Sequence, residues 1–295
     1  MGFNIKGEIM RTLVTGGAGF LGSHLCDALI LDGHEVWCLD NFVTSDISNI
    51  GDGVHLIIDS ADGDAELPDV DWIFHLASPA APVDINRFKG TCNSANIDGT
   101  HRMVNHAREC GSELLYASTM KVYGQCGRVE EYITSKCYGE MLCQKDKIAR
   151  LANVYGPRMR LTDSRVVPVF ITRALREEPL SLWNGGQQFD SFCYYSEIIE
   201  GLIAFMKSDS MGVIEFGYNL PISIYELAKK IIQITNSRSE LILDEQVQVV
   251  EVCHQLANLE RAKTELGWLP NIGLTNGLIK TITYFEEKLN VGKKD

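Results

Sequence analysis

Gly16, Gly19 and Gly22 stand between an apolar run at residues 9–14 and an amphipathic stretch at 20–31, and Asp40 closes the next apolar run. Glycines at such a strand-to-helix turn let the backbone curl tightly and come close to a pyrophosphate. The free N–H groups and positive dipole end of the following helix then meet the pyrophosphate's charge. The spacing predicts a βαβ unit that binds a dinucleotide. A carboxylate at the end of the second strand accepts hydrogen bonds from both ribose hydroxyls and repels a 2′-phosphate, so Asp40 favours NAD over NADP.

Apolar runs alternate with helical patterns through the first half, at residues 9–14, 35–39, 54–58, 72–77, 114–117 and 148–152. This predicts an α/β fold, a doubly wound Rossmann parallel sheet with helices on both faces. Ligands bind such sheets beyond the carboxyl ends of the strands. The residues there are Gly16, Asp40, Asp59, Ser78, Thr119 and Asn153, with Asp59 placed to reach an adenine. From about residue 156 the pattern is less regular, with helices expected at 167–176, 196–206, 224–235 and 274–288. The chain divides into an N-terminal extension at 1–9, an NAD-binding Rossmann domain at 10–155, and a smaller, mainly substrate-binding lobe at 156–295. The two lobes share one cleft.

Charge narrows the ligand classes. A net charge of −12 over 295 residues, with no Lys/Arg cluster against it, disfavours nucleic acid and anionic membrane surfaces, so an anionic ligand needs local donors. No apolar run reaches membrane-spanning length. Nine cysteines, odd in number and without a CxxC pair, point to a reducing cytoplasm, and no metal site is indicated. The polar residues before Met10 read as an extension rather than a secretion signal.

Tyr132 and Lys136 lie four apart in Tyr-Ile-Thr-Ser-Lys, on one face of an expected helix. An ammonium nearby favours the phenolate and suits the tyrosine to exchange a proton with a sugar hydroxyl. Ser118 and Thr119 follow a strand at a matching distance. His75, alone between Phe74 and Leu76, reads as a structural residue, and Trp72, Trp183 and Trp268 read as packing.

With these residues in place the chain resembles the extended short-chain dehydrogenase/reductase family of NAD-dependent epimerases and dehydratases, and within it the UDP-glucuronate decarboxylases. The matching segments are Leu-Val-Thr-Gly-Gly-Ala-Gly-Phe-Leu-Gly from Leu13, Leu-Asp-Asn-Phe from Leu39, His-Leu-Ala-Ser-Pro-Ala-Ala-Pro from His75, Asn96 with Gly99-Thr100, Ala-Ser-Thr-x-x-Val-Tyr-Gly from Ala117, Ala-Arg-Leu-Ala-Asn-Val-Tyr-Gly-Pro-Arg-Met from Ala149, and Leu-Gly-Trp-x-Pro from Leu266. The resemblance implies a transient oxidation of the sugar. Tyr132 takes the C4 hydroxyl proton while hydride passes to NAD, Thr119 hydrogen-bonds that oxygen, and Lys136 orients the cofactor ribose. It implies a cofactor site of Gly16, Gly19, Phe20, Leu21, Gly22, Asp40, Asn41, Phe42, Thr44, Asp59, Ser60, Leu76, Ala77, Ser78, Ala117, Tyr132, Lys136 and Arg158. The implied substrate contacts are Pro79, Ser118, Thr119 and Asn153, the substrate is a UDP-sugar, and the assembly is a homodimer.

The departures gather on the substrate side. The decarboxylase pattern has Glu where this chain has Lys121, Lys where it has Ser94, Arg where it has Asp190, and an Arg-x-Pro-Asp segment where it has residues 254–258. Residues 125–131 and 144–147 replace longer segments. An acid at Asp190 opposes a pyrophosphate, so the expectation is intact cofactor chemistry with altered substrate capture. A nucleotide-sugar 4-epimerase or 4,6-dehydratase is the alternative within enzymes, and a catalytically weak NAD-binding regulator the alternative outside them.

Overall fold

The computed structural model describes residues 8–124, 130–244 and 256–291. The first half alternates β1 (Arg11–Thr15), α1 (Phe20–Leu31), β2 (Glu35–Asp40), β3 (Val54–Ile58), β4 (Trp72–His75), α2 (Pro82–Arg87), α3 (Lys89–Cys110), β5 (Glu113–Thr119), α4 (Glu130–Leu142) and β6 (Lys147–Leu151). The second half contains β7 (Asn153–Tyr155), α5 (Val166–Leu175), β8 (Leu180–Trp183), β9 (Phe189–Asp190), β10 (Phe192–Tyr194), α6 (Tyr195–Met206), β11 (Gly212–Phe216), β12 (Ile222–Ser223), α7 (Ile224–Thr235), β13 (Leu241–Asp244), α8 (Glu260–Leu266) and α9 (Leu274–Val291). Most of the extension at 1–9 lies outside the described residues.

Seven strands, all parallel, form the central sheet in the order β11-β6-β5-β4-β1-β2-β3. The order reverses beside β1, whose neighbours are β4 and β2. The crevice beyond the carboxyl ends of the strands opens at that reversal. Leu13, Val14, Cys38, Ile73, Phe74 and Leu115 are fully buried, as continuous apolar strands covered on both faces must be.

The seventh strand, β11, comes from the second half and was not among the expected strands. It pairs with β6 from Gly212↔Lys147 to Phe216↔Leu151. Lys147 is held at that edge by the carbonyls of Ser208 (2.6 Å) and Ser210 (3.1 Å) and by Glu113 (3.1 Å), so its buried ammonium is fully paired.

A second apolar core joins Phe170, Ile171, Leu180, Leu182, Leu227, Ile231, Leu278 and Phe285, and carries α5, α7, α9 and the small sheets. Its helices end as their sequences direct. The Ser223 hydroxyl accepts from Glu226 N at the start of α7, and Asn236 takes the left-handed conformation at its end. Two parallel β-pairs connect this region, β7 with β10 and β8 with β13.

Candidate active site

The glycine loop is closed by contacts that leave no room for side chains. Gly16 has a φ of +68°, and a Cβ there would stand 2.9 Å from both Cα and N of Ala77 on the neighbouring strand end. At Gly22 a Cβ would overlap the carbonyl oxygen of Gly16 and stand 2.8 Å from Gly17 Cα. No side chain caps α1 at Gly19, so its first-turn amides are left to a ligand. Asp40 is fixed across the loop, Oδ2 accepting from Ala18 N (3.0 Å), Oδ1 from Phe42 N (2.9 Å) and Ser45 Oγ (2.6 Å).

This loop forms one end of a cavity of about 570 Å³. Of the residues expected to serve cofactor or substrate, the structure places all on its wall but one. The exception is Phe42, whose ring packs with the core under the sheet while its amide bonds Asp40. Asp59, at the far end, accepts from Ser60 N and Ala65 N (both 2.8 Å) and lies 3.7 Å from Arg102.

Thr119, Tyr132 and Lys136 reach the cavity wall from two elements. Thr119 ends β5 and its hydroxyl accepts from Lys121 N (3.3 Å), which bends the chain into a short turn. Tyr132 and Lys136 come from α4, and both are buried. Lys136 Nζ donates to Ala117 O (2.9 Å) and lies 4.8 Å from the centre of the Tyr116 ring. Gly139 is required here, because a Cβ would run into the Tyr116 phenol. Ser118, expected to meet substrate, donates its hydroxyl to Glu140 Oε1 (2.5 Å) and so retains only acceptor capacity for a ligand.

His75 is sealed under the same loop. Thr100 gives its proton to Asn96 O (2.7 Å), so its oxygen must accept from His75 Nε2 (3.0 Å), and Nδ1 then accepts from Thr15 Oγ1 (2.6 Å). The ring is the Nε2–H tautomer, and burial pulls its pKa down to about 3.

Arg158, Arg160 and Arg165 add positive charge to the wall beside Lys121 and Lys136. Arg158 Nη2 bonds Asp27 (2.7 Å), while Arg158 Nη1, Ser78 Oγ and Gln188 Oε1 are buried with no partner among the described residues. Arg165 pairs with Asp163 (2.5 Å) and Arg160 with Asp84. Burial would raise the Asp163 carboxyl, but the Arg165 guanidinium and its hydrogen bonds outweigh it and hold it low.

The departures fall unevenly around the cavity. Lys121 is on the wall, whereas Ser94 and Asp190 are not, and Asp190 Oδ1 instead accepts from Ser191 N (2.8 Å) on β9. Gln188 and Phe192, two residues to either side of Asp190, do line the cavity. Residues 125–129 and 254–255 lie outside the described residues, so most of the shortened loop and the first two residues of the altered 254–258 segment do too. Trp183 also differs from expectation. Trp72 and Trp268 are buried in packing, but Trp183 is 48% exposed and lines the cavity, as do Arg160, Arg165 and Gln188. Only folding brings these second-half residues to the strand ends.

The groups that lack partners and the side-chain-free loop fit a dinucleotide at one end and a second anionic ligand at the other. The model of the NAD dependent epimerase/dehydratase family matches residues 12–220. The chain belongs to that family. A UDP-glucuronic acid decarboxylase of Xenopus tropicalis is 35% identical over 95% of this chain and 73% of its own. UDP-glucuronic acid decarboxylase 6 of Arabidopsis thaliana is 33% identical over 97% of this chain and 91% of its own. Among solved structures, the Bordetella bronchiseptica enzyme WbmF in complex with NAD+ and UDP superposes with a TM-score of 0.86 at 26% identity, covering 97% of this chain and 95% of that one. Among the described residues no helix of this family member is long and apolar enough to cross a membrane.

Proposed function

We propose that the protein is an NAD-dependent nucleotide-sugar enzyme that takes a UDP-hexuronate through a 4-keto sugar and releases carbon dioxide, as a UDP-glucuronate decarboxylase does. The observation that carries the reading is that Thr119, Tyr132 and Lys136 line one cavity with the glycine loop and Asp40. NAD, when bound, supplies a reversible acceptor for hydride from the sugar's C4. The α1 amides at Phe20, Leu21 and Gly22 would receive its pyrophosphate beside Gly19, whose own N–H donates to Gly16 O (3.0 Å), with Arg158 Nη1 near them, and Asp40 would receive a ribose hydroxyl through the acceptor position left on Oδ2. Asn41, Thr44, Asp59 and Ser60 are assigned to the adenosine side, Leu76, Ala77, Ser78 and Ala117 to the floor.

Tyr132 accepts the C4 hydroxyl proton, Thr119 hydrogen-bonds the same oxygen, and Lys136 holds the ribose and favours the phenolate. The resulting β-keto acid loses carbon dioxide, the enolate left behind takes a proton from water at C5, and Tyr132 returns its own proton to the C4 oxygen as hydride returns to C4. Pro79, Ser118 and Asn153 contact the UDP-sugar, with Arg160 and Arg165 near its charge.

Lys121 favours a second reading. An ammonium beside a sugar carboxylate stabilises that anion before it leaves, which opposes decarboxylation and leaves a 4-epimerase. Incubation with UDP-glucuronate, followed by product mass, separates the two. Loss of carbon dioxide supports the first, an isomer of unchanged mass supports the second, and no turnover on any UDP-sugar refutes both. We also infer a cytoplasmic homodimer. Tyr138 and Met141, exposed on α4, support the pairing.

A further inference from the structure

Glu140 and Arg150 form a tightly held ion pair that does not line the cavity. Glu140 accepts from Arg150 Nε through Oε1 (2.8 Å) and from Nη2 through Oε2 (2.6 Å), a fork-to-fork arrangement with side chains only 12% and 17% exposed. Oε1 also accepts from Ser118 Oγ (2.5 Å). Arg150 Nη1 donates to the Tyr123 hydroxyl, with the guanidinium 4.6 Å from that ring's centre, and the hydroxyl donates to Glu215. Glu215 Oε2 in turn accepts from Asn258 N (2.7 Å).

The pair therefore grips the chain on both sides of Thr119, at Ser118 before it and Tyr123 after it. It also sits one turn beyond Lys136 on α4, so Lys136 and Glu140 pin that helix to two consecutive residues of β5, Ala117 and Ser118. Tyr132, Lys136 and Glu140 follow one another at four-residue intervals along a single stripe of the helix. Replacing such a pair by apolar residues of similar volume is often neutral for stability, so the arrangement is not explained by stability alone.

We propose that Glu140 and Arg150 are positioning residues that hold Thr119, on β5, in register with Tyr132 and Lys136, on α4. This rests on the trio's assignment to proton transfer. The test replaces both charges of the pair together, Glu140→Leu with Arg150→Met, in a Glu215→Gln background, because Glu215 lies 4.0 Å from Arg150 and would otherwise be left as a lone, largely buried charge, and it adds Arg150→Lys as the conservative variant. In the NAD-loaded protein the double variant should fold with cofactor affinity and KM weakened no more than a few-fold, while kcat falls about 10- to 100-fold, the scale of a small misplacement of reacting groups. Arg150→Lys should recover part of the loss. Tyr132 ionisation is followed in parallel by tyrosinate absorbance, taking the difference from Tyr132→Phe in each background, and should move upward in the double variant as Lys136 loses its fixed place. This second readout needs no turnover. If no UDP-sugar is converted by the parent protein, the functional reading fails while the titration still decides the positioning role. A folded double variant with unchanged kcat, or an unchanged Tyr132 titration, overturns the proposal.

Discussion

Gly22→Ala adds one methyl group at the tightest point of the glycine loop. The new Cβ would lie 2.8 Å from the Gly16 carbonyl carbon and from Gly17 Cα, and closer still to the Gly16 oxygen. Carbon atoms rest at about 3.5–4.0 Å, so the loop and α1 must part by roughly 1 Å. Backbone lies on both sides and no side chain can rotate away, so the cost belongs at the upper end of the overpacking range, about 3 kcal/mol. If the free protein relaxes by opening the loop, the same displacement falls on cofactor binding, where about 3 kcal/mol corresponds to a dissociation constant raised roughly a hundredfold. Gly90→Ala is the control, since a Cβ there meets nothing within 4 Å, and it should leave NAD binding unchanged. Calorimetric titration with NAD and urea unfolding of both variants make the comparison. A Gly22→Ala protein that is as stable as the parent and binds NAD as tightly would refute the reasoning.

Asp40→Ala should narrow the preference for NAD over NADP, measured as the ratio of the two dissociation constants. Equal affinities in the parent protein would remove the argument from Asp40. Tyr132→Phe should lower any turnover by orders of magnitude with little change in NAD binding, whereas Lys136→Ala should harm both; an active Tyr132→Phe variant would mean the proton-transfer group lies elsewhere. His75 stays neutral in the folded protein down to about pH 3, while the unfolded imidazole takes up a proton below about 6.5. The unfolded state thus binds more protons between these values, and stability is lost as pH falls through the window, by about 2 kcal/mol from this group at pH 5. Urea midpoints at pH 7 and pH 5 check it, and His75→Gln should show a shallower pH dependence; an equal slope would contradict the assignment.

The Rossmann half was legible because its signals are local. Strand runs, glycines and Asp40 each declare themselves within a few residues, and the fold then brings the strand ends to one crevice. β11 was missed because Gly212–Phe216 is five residues of ordinary composition, and only its pairing with β6 makes it a sheet strand. Trp183 was misread for a similar reason, since a tryptophan's sequence neighbours do not reveal whether its ring faces a core or a cavity. Glu140 was the nearest miss. Its place four residues beyond Lys136 continues the Tyr132–Lys136 stripe, and helical periodicity alone could have marked it.

Rapid mixing of the NAD-loaded protein with UDP-glucuronate, followed through the near-ultraviolet absorbance of reduced nicotinamide, tests the central claim most directly. Oxidation at the sugar's C4 with later return of the hydride requires a transient rise that decays as product forms, and the rise should be absent in Tyr132→Phe. Product formed with no transient, at mixing times shorter than turnover and with deuterium at C4 not slowing it, would contradict a mechanism through the 4-keto sugar.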